Sequence, residues 1–201
     1  MTEITLLDGG MGQELIARAG ADPGPLWATR VMIDHPGMVR DIHADYFAAG
    51  ATVATTNTYA IHHDRLERVD MDHLFHALHL RALMEAHEAR ARAGRGMIAG
   101  SMGPLGESYR PDLTPAVEVS TALYAEKAAL MAPHVDVILC ETMSSLDLCR
   151  GALAGAQAAG YLHCVVVAAA PDAAAQAVNR AVGNRHRVLF VLVRNDNQHR
   201  A

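Results

Sequence analysis

The stretch ITLLDGGMG, residues Ile4–Gly12, decides how the rest of the chain is read. Ile4 to Leu7 form a short apolar run without polar alternation, the pattern of a strand buried on both faces. The run stops at Asp8 and passes into Gly9, Gly10 and Gly12. Glycine tolerates φ > 0 and lets another group come close to the backbone. A strand that carries an acid into a glycine turn places a polar group at the mouth of an α/β sheet or barrel. Two readings of Asp8 stand on these residues alone: a site residue, or a cap for the helix that follows.

Outward from this stretch the chain alternates. Met11–Ala19 is expected to be a short helix, broken by Gly20–Pro25, and PLWATRVMIDHP reads as irregular. A helix is expected from near Pro36 to Gly50, with Val39, Ile42, Tyr46 and Phe47 at helical spacing. Thr52–Tyr59 is β-branched and reads as a second strand that ends in Thr55, Thr56, Asn57 and Thr58. Met71–Ala93 is expected as a long helix and Met97–Ser101 as a third strand. Thr114 is expected to cap a helix running to about Met131. Val135–Cys140 reads as a fourth strand ending at Glu141, and Ser144 or Ser145 as the cap of a helix before Gly160.

Four strand–helix units in succession predict a parallel sheet with helices packed on it. Units of about 40 residues are generous for an eight-unit barrel, and loop insertions account for the excess. The strand ends carry Asp8, Thr56 and Asn57, Ser101 and Glu141, all polar or acidic, as the functional end of a parallel barrel requires. Beyond Gly160 the pattern weakens. Val165–Ala170 reads as a strand, Ala173–Val182 as a helix and Val188–Val193 as a further strand.

The 201 residues are 51% hydrophobic, enough for one sizeable core. A net charge of -5 without a basic block argues against nucleic acid as a partner, and 4% aromatic residues leave few stacking platforms. The apolar runs are too short to span a membrane, and the N-terminus does not resemble a signal peptide. Three scattered cysteines point to reduced thiols and a cytoplasmic protein.

Other groupings fail on their chemistry. Gly10-Met11-Gly12 starts like a dinucleotide fingerprint, but Leu15 stands in place of the third glycine. His73, His76 and His79 recur every three residues, drift by about 60° per step on a helix and read as a solvated face. Asp136 and Glu141 flank opposite ends of one strand and do not form a catalytic pair. Cys140, Cys149 and Cys164 match the number of thiols that some catalytic zinc sites use. Strand alternation turns Cys140 away from the mouth when Glu141 faces it, and Cys149 falls on an outer helix.

Four segments, LLDGGMGQEL, PLWATRVMIDHPGMVRDIHADYFAAGATVATTNTY, GSMGPLGESYRPDL and VDVILCETMSSLDLCRGALAGAQAAG, together resemble the homocysteine S-methyltransferases, from about Ile4 to Gly160. The resemblance implies a (β/α)8 TIM barrel, here a truncated partial barrel of parallel strands and outer helices. It implies a homocysteine pocket containing Asp8, Gly9, Gly10, Thr56 and Asn57, with Glu141 receiving the amino group. It implies transfer of a methyl group from a sulfonium, betaine or folate-type donor to homocysteine, giving methionine. Zinc held by three cysteines would keep the thiol deprotonated. The family's zinc cysteines, one after an asparagine at the sixth strand and an adjacent pair in a GGCCG-type motif at the eighth, have no counterpart here. The expected organisation is therefore a partial barrel over residues 1–160 with a divergent tail, possibly frame-shifted in origin, over 161–201. Zinc is expected to be absent, catalytic residues are not assigned, and self-association through an exposed sheet edge is expected. Two alternatives to an enzyme stand beside it: a non-catalytic remnant that binds an amino-acid zwitterion, and an interaction module.

Overall fold

The computed structural model describes residues 5–20, 24–160 and 164–168. The expected helix at Ala173–Val182 and strand at Val188–Val193 lie outside the described residues. Two compact units divide the chain: residues 1–101 with 130–137, and residues 102–129 with 138–201.

In the first unit the expected strand before Asp8 is reduced to one parallel bridge, Leu7 to Val53. Hydrogen bonds extend it, from Thr52 N–H to the Leu6 carbonyl (2.8 Å) and from Asp8 N–H to the Val53 carbonyl (3.1 Å). Burial on both faces is not borne out: Leu6 and Leu7 are exposed. The reason is pairing on one side, since the described bridges join this segment to Val53 and to no second strand.

Helix α1, Met11–Ala19, runs as expected and ends at Gly20. The segment read as irregular instead contains helix α2, Ala28–Asp34, which buries Ala28, Thr29, Val31 and Met32. Helix α3, Met38–Ala48, follows. Strand β1 is shorter than expected, Val53–Thr55. The polar residues after it turn away to bond across the strand ends, and a short helix α4, His63–Glu67, comes next. A 3-10 turn, Asp72–Leu74, leads into helix α5, Phe75–Ala93. Strand β2, Met97–Met102, pairs in parallel with β1 through Val53–Met97, Ala54–Ile98 and Thr55–Ala99.

The core of this unit lies among α1, α2, α3 and α5, with Leu15, Met32, Val39, Ile42, Leu66 and Phe75 buried together. The histidine series divides. His73 and His76 are exposed, but His79 is fully buried, its Nδ1 2.8 Å from the Phe75 carbonyl. The solvated-face reading fails for His79 because a ring at that turn packs beside Phe75, 4.5 Å between centroids. Asp136 is structural: its Oδ2 accepts from Ile98 N–H at 2.7 Å and from Arg90 at 3.2 Å.

In the second unit helix α6, Val117–Met131, begins later than expected. Thr114 does not cap it. It closes a 3-10 turn, Pro111–Leu113, and its Oγ1 pairs with Ser145 Oγ at 2.9 Å. Strand β3, Val137–Met143, precedes helix α7, Leu146–Ala158, where Ser145 is the cap and accepts from Leu148 N–H. Strand β4, Cys164–Ala168, pairs in parallel with β3.

Gly151 and Gly155 on α7 let α6 come close. A Cβ at Gly155 would lie 2.6 Å from Tyr124 Cβ, 2.8 Å from Ala125 N and 2.9 Å from Thr121 O. Alanine gains about 1 kcal/mol over glycine in a helix, whereas overpacking costs about 1–3 kcal/mol. Two of these three neighbours are backbone atoms that cannot swing aside, so the clash outweighs the propensity. Gly155→Ala is therefore expected to lower the urea midpoint. An unchanged or raised midpoint would show that the helices separate without cost.

Candidate functional site

Asp8 does not cap α1. The cap position belongs to Gly10, and no side chain bonds there. The Asp8 carboxylate instead reaches sideways to β1. Its Oδ2 accepts from Thr55 N–H at 2.7 Å and its Oδ1 from the Thr55 hydroxyl at 2.6 Å. The same Oδ2 lies 3.4 Å from Nδ1 of His43, and the side chains of His43 and Asp8 are 0% and 3% exposed. A carboxylate pinned through both oxygens keeps one orientation at the end of its strand.

The glycines beside it are explained by what crowds them. A Cβ at Gly9 would stand 2.8 Å from the Tyr46 ring, and one at Gly12 would overlap the Trp27 ring. Trp27 holds φ 48°, ψ -126°, a conformation that a bulky residue seldom adopts, and its ring meets Tyr59 edge-on at 6.2 Å. Burial, with Glu14 and Asp8 nearby, raises the Tyr46 hydroxyl pKa. His43, Trp27 and Thr55 join the site only through the tertiary fold. The one signal for Trp27 was its being the single tryptophan of the chain.

Thr56 and Asn57 are buried at the end of β1. Thr58 Oγ1 donates to the Ser101 carbonyl at 2.7 Å, so Thr56 Oγ1 is the donor in its 2.8 Å pair with Thr58. Ser101 N–H donates to Thr56 Oγ1 at 3.1 Å. These hydroxyls lock the end of β1 to the end of β2. Asn57 Nδ2 donates to the Ala28 carbonyl at 3.2 Å and so fixes the start of α2.

Glu141 lies in β3 of the second unit and is half-buried. Its neighbour Thr142 has φ 59°, and the register with β4 shifts between Cys140 and Met143. A β-branched residue at positive φ is a strained position, and such strain clusters at functional sites. The acid expected to receive an amino group thus sits on an irregularity of its strand.

Of the three thiols, the side chains of Cys140 and Cys149 lie among the described residues. Cys140 is buried, and Cys149, on α7, is buried with its pKa pushed up to about 12 by desolvation. A ligand thiol must give up its proton, and this environment opposes that. Among the described residues no three His, Cys, Asp or Glu side chains group so as to hold a metal ion. No helix among them is long and apolar enough to cross a membrane.

The family model described as homocysteine S-methyltransferase matches residues 5–186, beyond Gly160 where the four segments end. A homocysteine S-methyltransferase of Escherichia coli (strain K12) is 32% identical over 160 residues, 72% of this chain and 52% of that protein. Homocysteine S-methyltransferase YbgG of Bacillus subtilis (strain 168) is 26% identical over 162 residues, 71% of this chain and 51% of that one. The metallated form of the homocysteine methyltransferase MmuM from Escherichia coli superposes with a TM-score of 0.74 at 27% identity, covering 83% of this chain and 63% of that structure. The fold is accordingly part of a TIM barrel. The chain spans about half the length of the curated relatives it matches.

The Cys149 thiol gives a prediction with a definite sign. Its pKa rises from 9.0 to about 12 on folding. Between these values the unfolded chain has lost the proton that the folded chain keeps, so stability falls as pH rises through this window. The loss is expected to be smaller in Cys149→Ala, read from urea midpoints at pH 8 and pH 10. Equal losses in both chains would contradict the burial argument.

Proposed function

Because the chain belongs to the homocysteine S-methyltransferase family, we propose that it carries the amino-acid-binding part of a site that methylates the thiol of homocysteine to give methionine. The observation behind the reading is Asp8, a nearly buried carboxylate held by two hydrogen bonds beside a glycine turn. The ammonium group is the cationic part of a free amino acid, and an oriented carboxylate is a strong acceptor for it. In this reading Asp8 accepts from the ammonium, and Glu141, on the other unit, is a candidate acceptor of the same kind. Gly9 and Gly10 keep the backbone bare beside the ligand. Thr56 and Asn57 shape the wall through their bonds to Ser101 and Ala28.

Methyl transfer needs a thiolate, and a free thiol with a pKa of about 8.5 is mostly protonated at neutral pH. In the family a zinc ion would supply that deprotonation. The cysteines of this chain give no adjacent pair, and Cys149 is held in its protonated form. The reading therefore includes binding of an amino-acid zwitterion by this chain alone, without stoichiometric zinc and without turnover.

Purification without chelator, elemental analysis, and a methyl-transfer assay with S-methylmethionine or betaine as donor test this. Zinc well below one per chain and no methionine are expected. One zinc per chain with turnover would overturn the reading and would require thiols placed differently from Cys140 and Cys149.

A further inference from the structure

His43 is a buried titratable side chain for which the reading above has no use. It lies on α3 and is fully buried, as are Val39, Ile42 and Phe47 of the same helix. Among the described residues, neither of its ring nitrogens has a hydrogen-bond partner. A buried polar atom without a partner is destabilising, and such an atom in a native fold calls for a reason. The nearest charged group is Asp8, whose Oδ2 lies 3.4 Å from His43 Nδ1. That separation is contact, but it is longer than an ordinary N–H···O bond.

The acceptor sites of the carboxylate can be counted. Each oxygen offers about two lone-pair directions. Thr55 occupies one on each oxygen, through its hydroxyl on Oδ1 and its N–H on Oδ2. His43 Nδ1 lies 3.4 Å from the same Oδ2. Among the described residues, the bond to Oδ1 is that of the Thr55 hydroxyl. We propose that His43 is a positioning residue: its Nδ1–H, 3.4 Å from Oδ2 of Asp8 in the free protein, closes to a hydrogen bond when that carboxylate receives the ammonium group of an amino-acid ligand. The inference rests on the binding reading above and adds a residue to it. It requires the tautomer with hydrogen on Nδ1, which can donate to Oδ2 once the ligand is bound and leaves the charge on Asp8 for the ligand.

A residue kept for positioning and a residue kept for packing respond differently to replacement. His43→Leu removes, at similar volume, two polar atoms that have no hydrogen-bond partner in the ligand-free protein, so the melting temperature of the free chain should stay level or rise. Homocysteine binding should nevertheless weaken by about tenfold, as loss of one hydrogen bond to a charged group implies. His43→Asn keeps an N–H near the position of Nδ1 and should bind within about threefold of the wild-type chain, although asparagine packs less well.

The experiment is calorimetric titration of L-homocysteine, under reducing conditions, into the wild-type, His43→Leu and His43→Asn chains, with a thermal melt of each. Retained stability, weakened binding in the leucine chain and restored binding in the asparagine chain are expected. Equal binding by the leucine and wild-type chains overturns the inference and leaves the binding reading intact. A leucine chain that loses stability and affinity together, with no recovery in asparagine, assigns His43 to packing and also overturns it. If the leucine chain does not fold, asparagine decides: affinity near wild type supports the inference, and a tenfold loss overturns it. No binding by the wild-type chain overturns the binding reading, and the inference falls with it.

Discussion

The pair of hydrogen bonds between Asp8 and Thr55 is the contact on which the candidate site depends. Asp8 sits where a short strand gives way to glycine, and a free aspartate there would rotate. The Thr55 N–H and hydroxyl hold both of its oxygens, at 2.7 and 2.6 Å. Thr55 is itself fixed by the pairing of β1 with β2. The first strand, β1 and β2 thus transmit their register to one carboxylate. Charge-assisted hydrogen bonds are short and directional, so this placement is specific as well as stabilising.

Around that contact the aromatic side chains set the shape. Tyr46 lies against Gly9 and Trp27 against Gly12, each close enough to exclude a Cβ. The glycines of the opening motif are required by these rings at least as much as by the turn. Trp27 reaches its place by holding a positive φ just before α2, and Asn57 ties the first carbonyl of α2 back to the end of β1. Strain at one residue is offset by hydrogen bonding and packing at its neighbours.

Much of this was legible in the residues, and the failures have separate causes. Strand β2 and helices α1 and α7 follow the apolar runs, glycine stops and Ser145 cap that announce them. The polar strand ends were legible in part: Asp8, Thr56 and Asn57 stand at or just past a strand end, whereas Ser101 lies inside β2 and Glu141 inside β3, which runs on to Met143 rather than stopping at Cys140. Helix α2 was hidden by Pro25 and by the unusual backbone of Trp27 before it. Strand β1 read too long because Thr56 and Thr58 have strand-like side chains but spend their hydroxyls on locking β1 to β2. His43 gave no signal, since a histidine on an apolar helix face shows its partner only when the tertiary fold brings Asp8 beside it. The exposure of Leu6 and Leu7 was hidden for a related reason: an apolar run shows what a strand can bury, not how many neighbours it has.

The central claim is that Asp8 serves as the acceptor for the ammonium of an amino acid. The most direct measurement is the dissociation constant of L-homocysteine for the wild-type chain and for Asp8→Asn. Asparagine has nearly the same shape and keeps a carbonyl for Thr55, but it lacks the charge. The account expects binding by the wild-type chain and a loss of about tenfold or more in the variant, the scale of one charge-assisted bond. Equal affinity in the two chains, with both folded, would contradict it.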